Sequence, residues 1–167
     1  MDPDKMLNRA DAEALLIHEA ELLDTLQLDD WLKLFTPDGL YWIPLDPAEE
    51  PGQNAAIVYD DALRREERAY HLMHVDFPAQ SPPSRTMHLI GNVRVAAHEE
   101  GCLVKSNQVI YEMRTGDSAQ VGSGVIQPLV ATVEHICRAT PEGVRFVRKT
   151  VVLMNHDAWM GNLTFLL

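Results

Sequence analysis

The strongest constraint on this chain is a change of hydrophobic period near Arg85. Before it, apolar residues recur at helix-face spacings; after it, they alternate as in strands. From Asp11 to Leu28 the apolar positions are Leu15, Leu16, Ala20, Leu22, Leu23 and Leu26, with Glu13, Glu19, Glu21 and Asp24 between them. That pattern predicts an amphipathic helix, and Asn8 stands where a side-chain cap would meet its first free amides, with Asp11 three residues on. A short second helix near Asp29–Phe35 would set Trp31, Leu32, Leu34 and Phe35 against the first. Pro37, Asp38 and Gly39 predict a turn, and Leu40–Leu45 a strand stopped by Pro44 and Pro47.

Residues Asp46–Asn54 and Phe77–Ser84, rich in proline and polar residues, predict two exposed loops. Between them Tyr59–His74 is dense in charge of both signs and predicts a helix. Beyond Arg85, strands are expected over Met87–Ala97, Leu103–Thr115, Ala119–Arg138 and Val144–Met154, with turns at Gly116-Asp117 and Glu142-Gly143. In the second of these, Leu103, Val109, Tyr111 and Met113 share one face, and Ser106, Gln108, Glu112 and Arg114 continue the other. The Gly122-Ser-Gly124 step predicts a bulge or sharp bend. Helices first and a four-strand meander after imply an α+β domain, with helices on one face of a curved, mostly antiparallel sheet. A length of 167 residues fits one such domain, with residues 1–10 as a loosely ordered arm.

Charge narrows the partners. With 25 acidic against 14 basic residues the formal net charge is −11, a surface that repels nucleic-acid backbones. No apolar run reaches the roughly 18 residues of a membrane span. The first nine residues lack the apolar core of a signal peptide, so a soluble, cytoplasmic protein is expected, with no membrane partner. Cys102 and Cys137 form neither a CxxC pair nor a zinc spacing, and their apolar, strand-like surroundings predict two buried, inert thiols.

Seven histidines invite a metal hypothesis: His18, His71, His74, His88, His98, His135 and His156. None stands in the Glu-x-x-His or His-Glu-x-x-His spacing of helical metal sites, so no metal is assigned to this chain. There is no Gly-x-Ser-x-Gly elbow, and the Gly122-Ser-Gly124 step lacks the third glycine of a dinucleotide fingerprint. A cone of helices and curved sheet can nevertheless enclose a pocket, and Asp24, Tyr41, His88 and His135 fall among apolar positions from which they would face it. For binding, the candidates are Tyr59, Asp60, Asp61, Arg64, Arg85 and His88. Arg85 can pair with a carboxylate, either within the fold, where Asp60 and Asp61 are candidates, or on a partner, and the sequence does not say which acid, if any, it meets.

The run Glu21-Leu-Leu-Asp24, then Asp30-Trp-Leu-Lys-Leu-Phe35 and Tyr41-Trp-Ile-Pro44, resembles the opening of the small (β) subunits of aromatic-ring-hydroxylating, Rieske-type dioxygenases. So do Tyr59-Asp-Asp61 with Arg64, Arg65 and Arg68, and Pro83-Ser-Arg-Thr86 with His88 and Asn92. The end is similar as well: Arg148-Lys-Thr-Val-Val-Leu153, Asn155 and Gly161-Asn-Leu-Thr-Phe-Leu166. The stretches run from about residue 13 to the end, and their order and spacing carry the match. The segment Asp46–Ile57 and the stretch Val133–Arg138 depart from the family pattern.

The resemblance implies a nuclear-transport-factor-2-like cone, a trimer of this chain, and a hexamer of three large (α) and three small subunits. It places the Rieske 2Fe-2S cluster and the mononuclear Fe(II) in the α subunit. It supplies no catalytic, cofactor or metal residue for this chain, whose role would be structural. Two rival readings keep the same fold: a stand-alone isomerase, dehydratase or cyclase with a pocket Asp or His base, and a module that binds a small apolar ligand without turnover. Which aromatic compound is oxidised is not written in this chain.

Overall fold

The computed structural model describes residues 7–116, 123–158 and 163–167. Helix α1 spans Arg9–Asp24, and the Asn8 side chain accepts from the Asp11 amide at 2.9 Å, so the expected cap forms. A one-turn helix α2 (Leu28–Leu32) follows, then strands β1 (Phe35–Pro44) and β2 (Ala56–Asp60), helix α3 (Ala62–His74) and a single 3-10 turn at Pro78–Gln80. Four long strands complete the chain: β3 (Arg85–His98), β4 (Gly101–Met113), β5 (Ile126–Thr140) and β6 (Gly143–Leu153).

The six strands form one sheet in the order β2-β1-β6-β5-β4-β3. The last four make the expected antiparallel meander; β1 runs parallel to β6, and β2 antiparallel to β1. Helix α1 lies against β3, and α3 against β1 and β2. The core between helices and sheet is built on Leu16, Leu23, Trp31, Tyr41, Ile110, Val133, Phe146 and Val151. Trp31 anchors it, edge-on to Phe35 at 5.1 Å and to Tyr41 at 5.8 Å.

Bulges give the sheet its curvature. In β3 the pairing passes from Gly91↔Asn107 to Arg94↔Lys105, so Asn92 and Val93 together oppose one residue of β4. Asn92 takes the left-handed conformation, with φ of 56°, which asparagine tolerates. The extra residue reverses parity: His88 and Ile90 are turned toward the core before the bulge, Val93 and Val95 after it.

Four expectations are corrected. Pro37-Asp38-Gly39 makes no turn between elements but an irregularity inside β1, where pairing jumps from Phe35↔Phe146 to Leu40↔Arg148. Phe35 and Tyr41 are both held in the core, and Pro37 and Asp38 between them are turned out to the surface while Thr36 and Gly39 stay buried. Tyr59 and Asp60 belong to strand β2 rather than to a helix, because Ile57 and Val58 favour the strand and Asp61 caps α3. Strand β5 begins at Ile126, not Ala119. Residues 117–122, with Gly122 of the predicted bend, lie outside the described residues, while Gly124 turns with φ of +74° just before β5. Residues 1–6 of the predicted arm are also outside them, but Leu7 is buried and α1 has begun by Arg9.

Candidate functional site

The most polar place in the core is where α1, α2, β5 and β6 meet. Glu19 sits on the buried face of α1, the one carboxylate among Ala12, Leu16, Ala20, Leu22 and Leu23. Its Oε1 accepts from the Lys149 Nζ at 2.7 Å and from the Trp31 Nε1 at 3.2 Å; its Oε2 meets the His135 Nε2 at 2.9 Å. The register sets this up: Val104 pairs with His135 and His135 with Lys149, and Lys149 lies beside Tyr41 of β1. The Lys149 ammonium stands 5.8 Å from the Tyr41 ring centre.

Burial alone would raise the Glu19 carboxyl, but the Lys149 ammonium, with His135, outweighs it and holds the group well below the usual carboxylate range. Burial pulls His135 down, more than the Glu19 carboxylate lifts it, so the imidazole is neutral and its Nε2–H donates. Burial likewise lowers Lys149 against the pull of Glu19. Tyr41 is pushed up by burial, and its hydroxyl accepts from the Leu167 amide at 3.1 Å. The cluster is therefore a carboxylate–ammonium pair with a neutral histidine and an indole donor.

The cluster is sealed, with Glu19, His135 and Lys149 each at most 2% exposed. A groove of about 670 Å³ lies between α1, α2 and the start of β6, and a cleft of about 520 Å³ between α3 and residues 163–165. Neither is lined by Glu19, His135 or Lys149.

The four pocket candidates divide into two places. Tyr41 and His135 join the Glu19 cluster. Asp24 and His88 meet elsewhere, at the end of α1: Asp24 accepts from the Thr86 hydroxyl at 2.8 Å, the His88 amide at 3.0 Å and the His88 Nδ1 at 2.7 Å. Burial would raise Asp24, but these bonds, the His88 side chain's foremost, lower it overall. The His88 Nε2 is buried and has no hydrogen-bond partner among the described residues. Asp24 and His88 thus tie α1 to β3 and share no cavity with His135.

The binding candidates also separate. Asp60 is buried and held by two bonds from Arg68, one of them Nη2 to Oδ1 at 3.0 Å. Asp61 caps α3 through the Arg64 amide at 3.0 Å. Both carboxylates are thereby engaged, and the candidate pairing of Arg85 with either does not form; Arg85 is exposed at the start of β3. Arg64 lines the α3 cleft, and Tyr59 is exposed on β2. Arg65, not singled out from the sequence, is buried over the Phe35 ring at 4.3 Å and donates to the Gly39 carbonyl. Glu19 and Lys149 were likewise missed. A charge within an apolar helix face was the signal available for Glu19; Lys149 stands beside Arg148 and Thr150 in β6 and carried none of its own.

Strand β4 holds a further surprise. Its inner face is mixed: Ser106, Gln108 and Glu112 are buried beside Cys102, Val104 and Ile110, and Glu112 accepts from the Ser84 hydroxyl at 2.7 Å and the Arg114 Nε at 3.0 Å. The other face points away from the helices. Met87↔Tyr111, Leu89↔Val109, Met113↔Ile126 and Tyr111↔Pro128 are register partners, so an apolar patch crosses β3, β4 and β5 on the outside. Met87, Leu89 and Ile126 are 59%, 52% and 62% exposed.

Among the described residues no three His, Cys, Asp or Glu side chains converge to hold a metal, and no helix is long and apolar enough to cross a membrane. The family model described as "Ring hydroxylating beta subunit" matches residues 18–157. The small oxygenase component of a p-cumate 2,3-dioxygenase system from Pseudomonas putida is 44% identical over 70% of this chain and 68% of its own length. The β subunit of a benzoate 1,2-dioxygenase from Burkholderia mallei superposes with a TM-score of 0.75 at 22% identity, over 97% of this chain and 99% of that one. A nuclear-transport-factor-2-like protein with a cystatin-like fold from Novosphingobium aromaticivorans superposes at 0.60 with 17% identity, over 88% and 82% of the two chains.

Proposed function

Because the chain belongs to the family of ring-hydroxylating dioxygenase β subunits, we propose that its task is to seat an iron-bearing α subunit, through a trimer of its own kind, in an assembly of three α and three β chains. The Rieske 2Fe-2S cluster and the mononuclear Fe(II) that perform the oxidation then reside in the α subunit, and this chain contributes no catalytic residue. The reading extends to a single structural domain over residues 1–167, working in the cytoplasm.

The observation that carries this reading is the exposed apolar patch across β3, β4 and β5. A sheet that buries Ser106, Gln108 and Glu112 while exposing Met87, Leu89, Tyr111 and Ile126 has placed apolar area where only another protein can cover it. An obligate interface of this kind buries about 2,000 Å² or more, with an apolar centre. The interior supports the same reading: the Glu19 carboxylate and the Lys149 ammonium neutralise each other, with His135 bonded beside them, and neither the α1–α2 groove nor the α3 cleft is lined by them.

The test is coexpression with a large-subunit reading frame of the same family. The expected product is a brown complex in which both chains copurify in equal amounts, while this chain alone runs as a trimer. A lone monomer that never copurifies with an α subunit would defeat the proposal.

A further inference from the structure

Cys102 and Cys137 were expected to be two unrelated buried thiols. They are instead direct cross-strand partners in the β4–β5 ladder, on the inner face of the sheet. Directly opposed residues of an antiparallel pair have their Cα atoms about 4.5 or 5.5 Å apart, according to their place in the ladder. Both spacings fall within the roughly 4.4–6.8 Å that a disulfide spans. The strands are held close here: a Cβ on Gly101, the residue before Cys102, would lie 2.5 Å from the Cys137 carbonyl oxygen. Cys102 and Cys137 are 4% and 1% exposed, so their nearest reactive partner is each other.

We propose that Cys102 and Cys137 form a redox-modification site, a cross-strand dithiol that a hydroperoxide closes to an intrachain disulfide and that small-molecule thiols reopen. Cys102 is the attacking group. The neighbouring Cys137 side chain, with help from the Leu7 amide and against the opposing effect of burial, lowers Cys102 to about 7, while the Cys137 thiol itself donates to the His135 carbonyl at 3.8 Å. Cys137 is raised by its contact with Cys102 and by burial, so it keeps its proton and resolves. In the first step the Cys102 sulfur attacks the hydroperoxide, the O–O bond breaks, an alcohol or water leaves, and Cys102 becomes a sulfenic acid. In the second the Cys137 sulfur attacks Cys102, the S–O bond breaks, and its proton leaves with the hydroxyl as water. Two thiols are oxidised by two electrons and one peroxide bond is reduced by two.

The experiment treats the full-length chain with hydrogen peroxide, unfolds it in N-ethylmaleimide and weighs it. The expected result is loss of both alkylatable thiols, a peptide cross-link between residues 102 and 137, and recovery of both thiols with dithiothreitol. In C137S the sulfenic acid at Cys102 persists and is captured by dimedone. Three results would overturn the proposal: both thiols still alkylated after peroxide, separate over-oxidation with no cross-link, or a disulfide that joins two chains. The cross-link is mapped on the unsubstituted protein, so the test survives a C137S variant that fails to fold.

Discussion

The Glu19 carboxylate and the Lys149 ammonium meet at 2.7 Å across 130 residues of sequence, in a core where neither is more than 2% exposed. Each has been taken out of water, and each depends on the other and on the donors of His135 and Trp31 to compensate. Removing one partner leaves a buried charge with nothing to neutralise it. Glu19→Met is therefore expected to destabilise the chain by about 3–5 kcal/mol, and the double variant Glu19→Met, Lys149→Met to recover most of that loss. Urea unfolding of the four proteins of this cycle measures both.

The same cluster sets an acid limit. His135 is held below its ordinary 6.5, so in mild acid the unfolded chain binds a proton that the folded chain refuses. Glu19 and Asp24 are held below their ordinary 4.5 and 3.8, so the stability they add is full above those values and is lost as pH falls toward their folded values. Stability should decline in two stages on acidification, one starting below pH 6.5 and the second below 4.5. His135→Gln should flatten the first stage, while the second persists through Lys149 in reduced size. Urea midpoints recorded between pH 8 and pH 4 test the order.

The outer patch makes a prediction of the opposite kind. Leu89 and Tyr111 are exposed on the outer face of the sheet, where their contacts inside the fold are cross-strand pairs rather than core packing. Leu89→Lys and Tyr111→Lys should each change the stability of the separated chain by no more than about 0.5 kcal/mol. Both should reduce self-association and copurification with the α subunit. Light scattering and thermal melts on the same samples separate the two effects.

The Asp24 link between α1 and β3 is local and polar. Asp24→Ala unpairs the Thr86 hydroxyl and the His88 amide together, at a cost of about 1–3 kcal/mol. Asp24→Asn keeps an acceptor and should cost less. Amide exchange at His88 should quicken in the alanine variant.

The sequence by itself determined the order of elements. Helix spacing before Arg85 and alternation after it are local properties, carried by residues a few places apart, and they sufficed for α1, α2, the two loops, the meander and the α+β class. The residue runs that resemble a known family were legible for the same reason. Only the tertiary structure decided which face of each strand is inside. Alternation marks two faces of β4 but not their destination; the face of Val104, Ile110 and Glu112 turned inward, where Ser84 and Arg114 donate to Glu112. The pairing of Glu19 with Lys149, of Cys102 with Cys137 and of Asp60 with Arg68 rests on strand register, bulges and the packing of helices on the sheet. Glu19–Lys149 and Cys102–Cys137 join residues far apart in the chain, and Asp60–Arg68 joins a strand to the helix after it; no hydrophobic pattern encodes any of them.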